Sequence, residues 1–387
     1  LSQRFALSWV AHQNYAVDMS LVELDKVKDV QQGIAVASKM GIPIQNMLLV
    51  DTAGNAAWKP AGAFPSRTNP SNVALAESAY QAGNWLVDNP VLPEVINPDT
   101  KRLWSGNSRV VSAQQHQDLG DGGYALGARS RQIRDRLFAE EQFSVDDFYR
   151  LQLDNEAHFL APWQQQLLAL LSTEPKRFSQ DIRLIKAWKA CACSDSVGYT
   201  LVRQYRQQLI DNSFAPLETQ LSLASQSLSP IKRYLEPAMW QLIETKPASW
   251  LPNRYVNWGE FMLASYQQSK QQLLTKYSDS DDMEDLAWGK VNQLSIQHPF
   301  SKQLPVLSSL LDMPTVPGFG DSFMPAVQGA SFGASQRFIV QAGDEGNGIL
   351  TIPGGQSGHP LSDYYRSGFD EYVNQLHTPL LPSKPLH

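Results

Sequence analysis

The stretch WSGNSRVVSAQQHQDLGDGGYALGARSRQIRDRL (Trp104–Leu137) decides how the chain is read. It opens with a run that is apolar except around Gly106-Asn107, crosses a polar loop and ends in an arginine-rich segment of helical character. Asn107 then falls at a strand end, Arg129 on the first turn of the helix, and Asp118 in the loop between them. A carboxamide, a carboxylate and a guanidinium on one strand–loop–helix unit can position a substrate carbonyl, a metal ion and the backbone around them. The same residue types also suit a capped helix after a hairpin, with no chemistry attached.

Upstream, residues 5–11 (FALSWVA) predict a strand. Residues 20–40 carry Leu21, Leu24, Val27 and Val30 at helical spacing, with Ser20 and Glu23 placed as a capping box. Gly41-Ile42-Pro43 stops that helix. A strand Met47–Asp51, a tight turn at Gly54-Asn55 and a second strand through Trp58 make a hairpin with good turn chemistry. Residues 68–100, with Asn-Pro pairs at 69–70, 89–90 and 97–98, read as loop with short helical turns.

Downstream, Ser144 followed by Asp146 and Asp147 marks a helix start. Further helices are expected around 160–172, 179–190, 195–212, 217–227, 230–246 and 257–275, with prolines at the breaks. The acidic run 276–286 lacks the spacing of an EF-hand loop and reads as a solvated linker. From 287 the segments WGKVNQLSIQH, SQRFIVQAG and GILTIPGG predict returning strands. Strands at both ends with helices between give an α+β protein whose sheet is closed by segments far apart in sequence. Within one large domain, residues 1–125 are expected to form the sheet, residues 126–284 to be mainly helical, and residues 285–387 to bring the strands back.

Composition sets the broad class. Of 387 residues, 42% are hydrophobic and 18% charged, which describes a globular chain. A net charge of −6 without a basic block excludes nucleic acid as an expected partner. No run of eighteen apolar residues and no signal-peptide order occurs, so no membrane partner is expected either. The opening Leu1-Ser2-Gln3-Arg4 runs straight into a strand-like segment, as in a piece of a longer product. The two cysteines, Cys191 and Cys193, stand in KACACSD, where helical geometry would point their side chains apart. They are expected to be small, unbridged helix residues, and without a nearby His or Cys pair they make a poor metal site.

The run PGGQSGHPLSDYYRSG (353–368) is constrained by Gly354, Gly355, Gly358, Pro353 and Pro360 and predicts a buried turn or a site rim. It has neither the lysine nor the strand-to-helix setting of a phosphate loop. GGQSG is one residue too tight for a hydrolase elbow, no H-E-x-x-H occurs, and His359 reads as structural.

Seven segments in order carry a resemblance: LSQRFALSWVAHQ, VDTAGNAAWKPAGAFPSR, INPDTKRLWSGNSRV, GARSRQIRDRL with FSVDDFYRLQLD, WGKVNQLSIQHPF, GASQRFIV and PGGQSGHPLSDYY. Together they resemble the C-terminal portion of the β chain of the penicillin acylase (penicillin amidase) family of N-terminal nucleophile hydrolases. The resemblance implies part of a four-layer αββα fold with a large helical insertion. It also implies amide hydrolysis by the N-terminal Ser of a β chain released by autoproteolysis. The base is that residue's own α-amine, which with a pKa near ~8 can take the hydroxyl proton at neutral pH. An Asn side chain and a backbone N–H hold the oxyanion.

By position, that Asn falls on Asn107, the arginine that orients the nucleophile region falls on Arg129, and the aspartate that binds calcium in several members falls on Asp118. No cofactor is required, and structural Ca2+ is an option that the resemblance leaves open. The implied partners are the remaining N-terminal segments of the same precursor and a small-molecule acyl amide, such as a β-lactam side-chain amide or an N-acyl-homoserine lactone. The implied location is periplasmic. The sequence also departs from the family pattern. Leu1 opens the chain where no nucleophile can be placed, WSGN replaces the usual Ala-Asn approach, and the calcium-ligand loop is altered around TNPSNVAL. The nucleophile is therefore expected outside this chain, and the chain alone is expected to be inactive. The other reading is a non-catalytic relative that acts as a binding or scaffold protein.

Overall fold

A computed structural model describes residues 6–66, 74–79, 85, 92–120 and 123–382, without the side chains of Gln117 and Asp118. The chain divides into two compact units, Leu1–Ser130 with Val340–Gly346, and Arg131–Ile339 with Asn347–His387.

In the first unit, helix α1 (Val30–Ala37) begins at Asp29, whose carboxylate accepts from the Gln32 N–H at 2.8 Å. The predicted hairpin is present as β1 (Gln45–Val50) and β2 (Ala56–Ala61), and β3 (Val95–Ile96) adds antiparallel to β2. Asp51 holds its turn by accepting from the N–H groups of Ala53 and Asn55, and Gly54 supplies the positive φ of 86°. The side-chain and backbone donors of Asn55 keep the Asp51 carboxyl below its ordinary value. Strand alternation decides what each face meets. Met47 packs with the Ala37 cluster, and Leu49 lies so close to Gly33 that a Cβ there would be 2.9 Å away. Leu48 and Asn46 pair with Trp58 and Pro60 on the opposite face.

Three expectations for this unit are corrected. Residues 6–9 form no strand: Leu7 and Trp9 are exposed and Val10–His12 is a 3-10 turn. The helix expected over 20–40 is two pieces, a 3-10 segment Ser20–Lys26 and α1, because Ser20 hydrogen-bonds Asp18 and Glu23 pairs with Lys26 instead of forming a capping box. Asn107 is not at a strand end; residues 101–106 are irregular, and the loop after it holds a helix, α2 (Ala113–Leu119), capped by Ser112 and Gln115. Of the three Asn-Pro pairs in 68–100, those at 69–70 and 89–90 lie outside the described residues.

The second unit is mainly helical, with α3 (Ala128–Ala139, its first turn belonging to the first unit), α4 (Val145–Gln152), α5 (Ala161–Leu171), α6 (Ser179–Lys186), α7 (Val197–Leu223), α8 (Glu236–Thr245) and α9 (Trp258–Tyr277). Ser144 caps α4 reciprocally with Asp147, as its sequence predicts. The core gathers Trp163, Leu167, Tyr199, Tyr205, Phe261 and Tyr266. Its buried carboxylates are matched: Asp181 accepts from the Tyr266 hydroxyl at 2.6 Å and from Lys270 at 2.8 Å. Asp321 accepts from the Tyr199 hydroxyl at 2.7 Å and pairs with Arg203. Burial and the Asp321 charge push the Tyr199 hydroxyl well above its ordinary value, so it stays a neutral donor.

The two helices expected at 195–212 and 217–227 are one, α7, with Pro216 inside it. WGKVNQLSIQH is not a strand; Trp288–Val291 is a single helical turn, drawn in by the buried Trp288 whose Nε1 donates to the Gly320 carbonyl at 2.8 Å. Strands do return at β4 (Arg337–Ile339) and β5 (Ile349–Thr351), but they form their own two-stranded sheet. Within the expected linker 276–286, Met283 and Leu286 are buried.

The cysteines are the clearest correction. Cys191 and Cys193 are disulfide-bonded, with Cα atoms 5.1 Å apart. Helix α6 has ended at Lys186, and Ala190 turns the chain at φ 59°, so the helical geometry that would separate the thiols does not apply.

The loop 353–368 folds back on itself through Gly355 N–H to Tyr365 O at 2.9 Å and Gly368 N–H to Gly354 O at 2.9 Å. Its His359 is exposed, and its ring nitrogen accepts from the Leu361 N–H at 3.2 Å.

Candidate active site

The site is built where residues 106–108 cross the first turn of α3. Asn107 has φ 62°, a left-handed conformation that Asn tolerates better than most side chains. Its backbone carbonyl accepts from the Ala125 N–H at 2.7 Å, which closes the intervening loop. The close crossing suits a glycine at 106: a Cβ there would lie 2.9–3.1 Å from Ser130 atoms. One residue on, the hydroxyls of Ser108 and Ser130 are 2.6 Å apart.

Arg129 ties the crossing together. Its Nη2 donates to the Gly106 carbonyl at 3.0 Å and to the side-chain oxygen of Asn107. Burial pulls the guanidinium below its ordinary value, yet an arginine remains protonated across any physiological pH. With the amide oxygen of Asn107 engaged by a cation, the remaining polar end of that amide is the donor Nδ2. A donor oriented in advance can meet a developing oxyanion without first reorganising.

Asn107 lines a cavity of ≈ 320 Å³ with Trp58, Phe64, Val110, Val111, Leu119 and Tyr124, and the hairpin contributes Ile44, Asn46 and Pro60. Trp58 is fixed there by β2 register and by its Nε1 donating to Asn46 Oδ1 at 2.9 Å. Among the described lining residues none is charged. Aromatic and aliphatic side chains interspersed with uncharged polar groups are a form that a small-molecule site can take.

Of the three residues picked from sequence, the structure brings Asn107 and Arg129 into contact. Asp118 falls on the last turn of α2, beside the cavity residue Leu119, and its side chain lies outside what is described. Among the described residues no group of three or more His, Cys, Asp or Glu converges as a metal site. Sequence reading missed Trp58, Tyr124 and the Ser108–Ser130 pair. Trp58 falls on a predicted strand, but only the pairing register shows which face it takes.

The geometry joins a wider likeness. The penicillin amidase family model matches residues 1–385. The chain belongs to the penicillin amidase family. It is 22% identical over 342 residues to the penicillin acylase 2 proenzyme of Pseudomonas sp. (strain SE83), covering 84% of this chain and 42% of that protein. It therefore spans under half the length of that relative. In fold it matches a thermostable penicillin G acylase from Alcaligenes faecalis with a TM-score of 0.60 and 15% identity, over 95% of this chain and 71% of the other. The fold is that of part of an N-terminal nucleophile hydrolase, with the large helical content seen in the second unit.

Proposed function

We propose that this chain supplies the oxyanion side and part of the acyl pocket of an amidohydrolase that removes an acyl group from an amide. The observation that carries the reading is the Arg129 contact to both Gly106 and Asn107, the latter a lining residue of the cavity. Family membership and the likeness to a penicillin acylase proenzyme support it.

In this reading a serine at the N-terminus of a processed chain lies outside these 387 residues and attacks the amide carbonyl. The hydroxyl proton passes to that residue's α-amine, the carbonyl oxygen becomes an oxyanion, and Asn107 Nδ2 donates to it. Collapse of the intermediate expels the amine with the proton, and water then releases the acid. No described cavity residue substitutes for this nucleophile, since the Ser108 hydroxyl is bound to another hydroxyl and not to a base. The uncharged lining suits an uncharged acyl group.

The processed precursor is the natural source of the missing segments, and the supporting relative is itself a proenzyme. Calcium at Asp118 and export to the periplasm complete the proposal as family expectations. The test is the full-length protein: its chains after expression are identified by intact mass and N-terminal sequencing, and release of amine from N-acyl amides is followed. A self-cleaved chain starting with Ser, and turnover lost in Asn107→Ala, are expected. A single uncleaved chain without turnover would overturn the enzymatic reading.

A further inference from the structure

The Cys191–Cys193 bridge is a feature that amide hydrolysis does not use. A disulfide stabilises a fold chiefly by closing a loop in the unfolded chain, and that effect grows with loop length. Here Ala192 is the single residue enclosed, so the bridge contributes little to global stability. Its effect is local. The turn it braces is a junction: Ala190 O accepts from the Ala157 N–H, Ala192 N–H donates to Asn155 O, and Ala192 O accepts from the Gly320 N–H, each at 2.8 Å. Ser194 O accepts from the Gly289 N–H at 2.7 Å, and Trp188 Nε1 donates to Cys191 O at 2.7 Å. Three segments distant in sequence, 155–157, 288–289 and 318–320, thus hang on one short braced turn.

The bridge is also reachable. Cys193 is half-buried, whereas Cys191 is buried and forms part of the wall of a cavity of ≈ 210 Å³. Arg183 and Lys189 line that cavity along with Asp195 and Glu284. The cations pair with the acids, Arg183 with Glu284 at 3.3 Å and Lys189 with Asp195 at 3.8 Å, both at the surface. Accessibility to the attacking sulfur sets the rate of exchange.

We propose that Cys191–Cys193 is a thiol–disulfide exchange site, open to low-molecular-weight monothiols in the folded protein, whose reduction loosens the junction while the helical core persists. A monothiol as thiolate attacks the more exposed Cys193 Sγ. The protein S–S bond breaks, a mixed disulfide forms on Cys193, and Cys191 leaves as thiolate and takes a proton. A second monothiol attacks the small-molecule sulfur of the mixed disulfide, releasing Cys193 as thiolate and the monothiol's own disulfide. Two thiols are oxidised and one protein disulfide is reduced.

The experiment titrates the whole purified protein with reduced glutathione without denaturant. Free thiols are counted by alkylation and mass, and backbone hydrogen exchange is followed in both redox states. Expected are two alkylatable thiols in the folded protein, a transient glutathione adduct on Cys193, and faster exchange at Ala157, Ala192, Gly289 and Gly320 with α7 and α9 amides unchanged. The Cys191→Ser/Cys193→Ser double variant should exchange like the reduced protein. Thiols that appear only after denaturant is added would overturn the proposal. So would free thiols before any reductant, or exchange at the four junction amides that reduction leaves unaltered.

Discussion

Arg206 and Glu236 form an ion pair sealed inside the helical unit, with Nε and Nη2 of the arginine 2.8 and 2.6 Å from one carboxylate oxygen. The other oxygen accepts from the indole N–H groups of Trp163 at 2.7 Å and Trp240 at 3.1 Å. Every lone-pair direction that matters is occupied, which is the condition under which a buried carboxylate is tolerated. Glu236→Ala strands the guanidinium and two indole donors at once, and is expected to cost ~3–5 kcal/mol. Urea unfolding measures this. A paired replacement, Arg206→Met with Glu236→Met, leaves only the two indole donors without a partner and should cost less, and equal losses for the single and double variants would contradict the account.

Asn107 and Arg129 should divide their effects in the assembled enzyme. Asn107→Ala removes the proposed oxyanion donor and is expected to lower kcat ~10²–10³-fold with little change in KM. Arg129→Ala leaves the amide in place but frees its orientation, so a smaller loss of kcat is expected. Steady-state kinetics on a fixed N-acyl amide decide it; a rise in KM at constant kcat for Asn107→Ala would assign that residue to substrate binding instead.

The cap of α4 carries a pH dependence. The Ser144 hydroxyl and N–H, then Arg150, push the Asp147 carboxyl down to about 2. A depressed carboxylate contributes stability that is present above its unfolded pKa near ~3.9 and is lost as pH falls through its folded value. The first turn of α4 should therefore fray between about pH 4 and pH 2. NMR titration of Asp147 reads this directly. Ser144→Ala should raise its pKa toward the ordinary value, and an unmoved titration would remove Ser144 as the cause.

Two glycines of the terminal loop should behave oppositely. A Cβ on Gly355 would meet the Tyr364 carbonyl oxygen at 1.7 Å, a backbone atom that cannot swing away. Gly355→Ala is expected to destabilise by ~1–3 kcal/mol through overpacking. Gly358 has nothing within 4 Å of such a Cβ, and Gly358→Ala should change stability by less than ~0.5 kcal/mol. Thermal melts of both variants compare them; similar losses would mean that the loop is not held as described.

What could be read ahead of the structure was whatever short-range chemistry settles. The Asp51–Asn55 turn, the Ser144 cap and the start of α9 near Asn257 follow from local side-chain-to-backbone bonds. Segments whose state depends on distant partners were not legible. The apolar run before Asn107 looks like a strand but pairs with none among the described residues, and Trp288 is pulled into a helical turn by a carbonyl 32 residues away. The cysteine pair escapes a sequence reading because nothing local marks the end of α6 at Lys186, four residues before the expected one. For the site, residue spacing offered a carboxamide and a guanidinium on one unit; the family resemblance gave them distinct roles, and the contact between them is made only by the folded chain. Trp58 and Tyr124 were invisible because a cavity wall is a property of register and loop closure, not of a motif.

Helix α7 runs for 27 residues, about 40 Å at the usual rise per residue. Up to Phe214 it is studded with buried side chains, and beyond that point it has none. Pro216 falls at that boundary, where it denies the Asn212 carbonyl its partner. The helix is thus continuous in geometry and divided in cohesion. Its last two turns are held by the partly buried Leu221, which packs against the core, and by the Glu218 carboxylate, which accepts from the Leu228 N–H at 2.8 Å. A rod anchored at one end has a weak place determined in advance. Limited digestion should nick this chain near Ala215–Ala224 while the anchored portion stays whole, leaving two fragments that remain associated until the core itself melts.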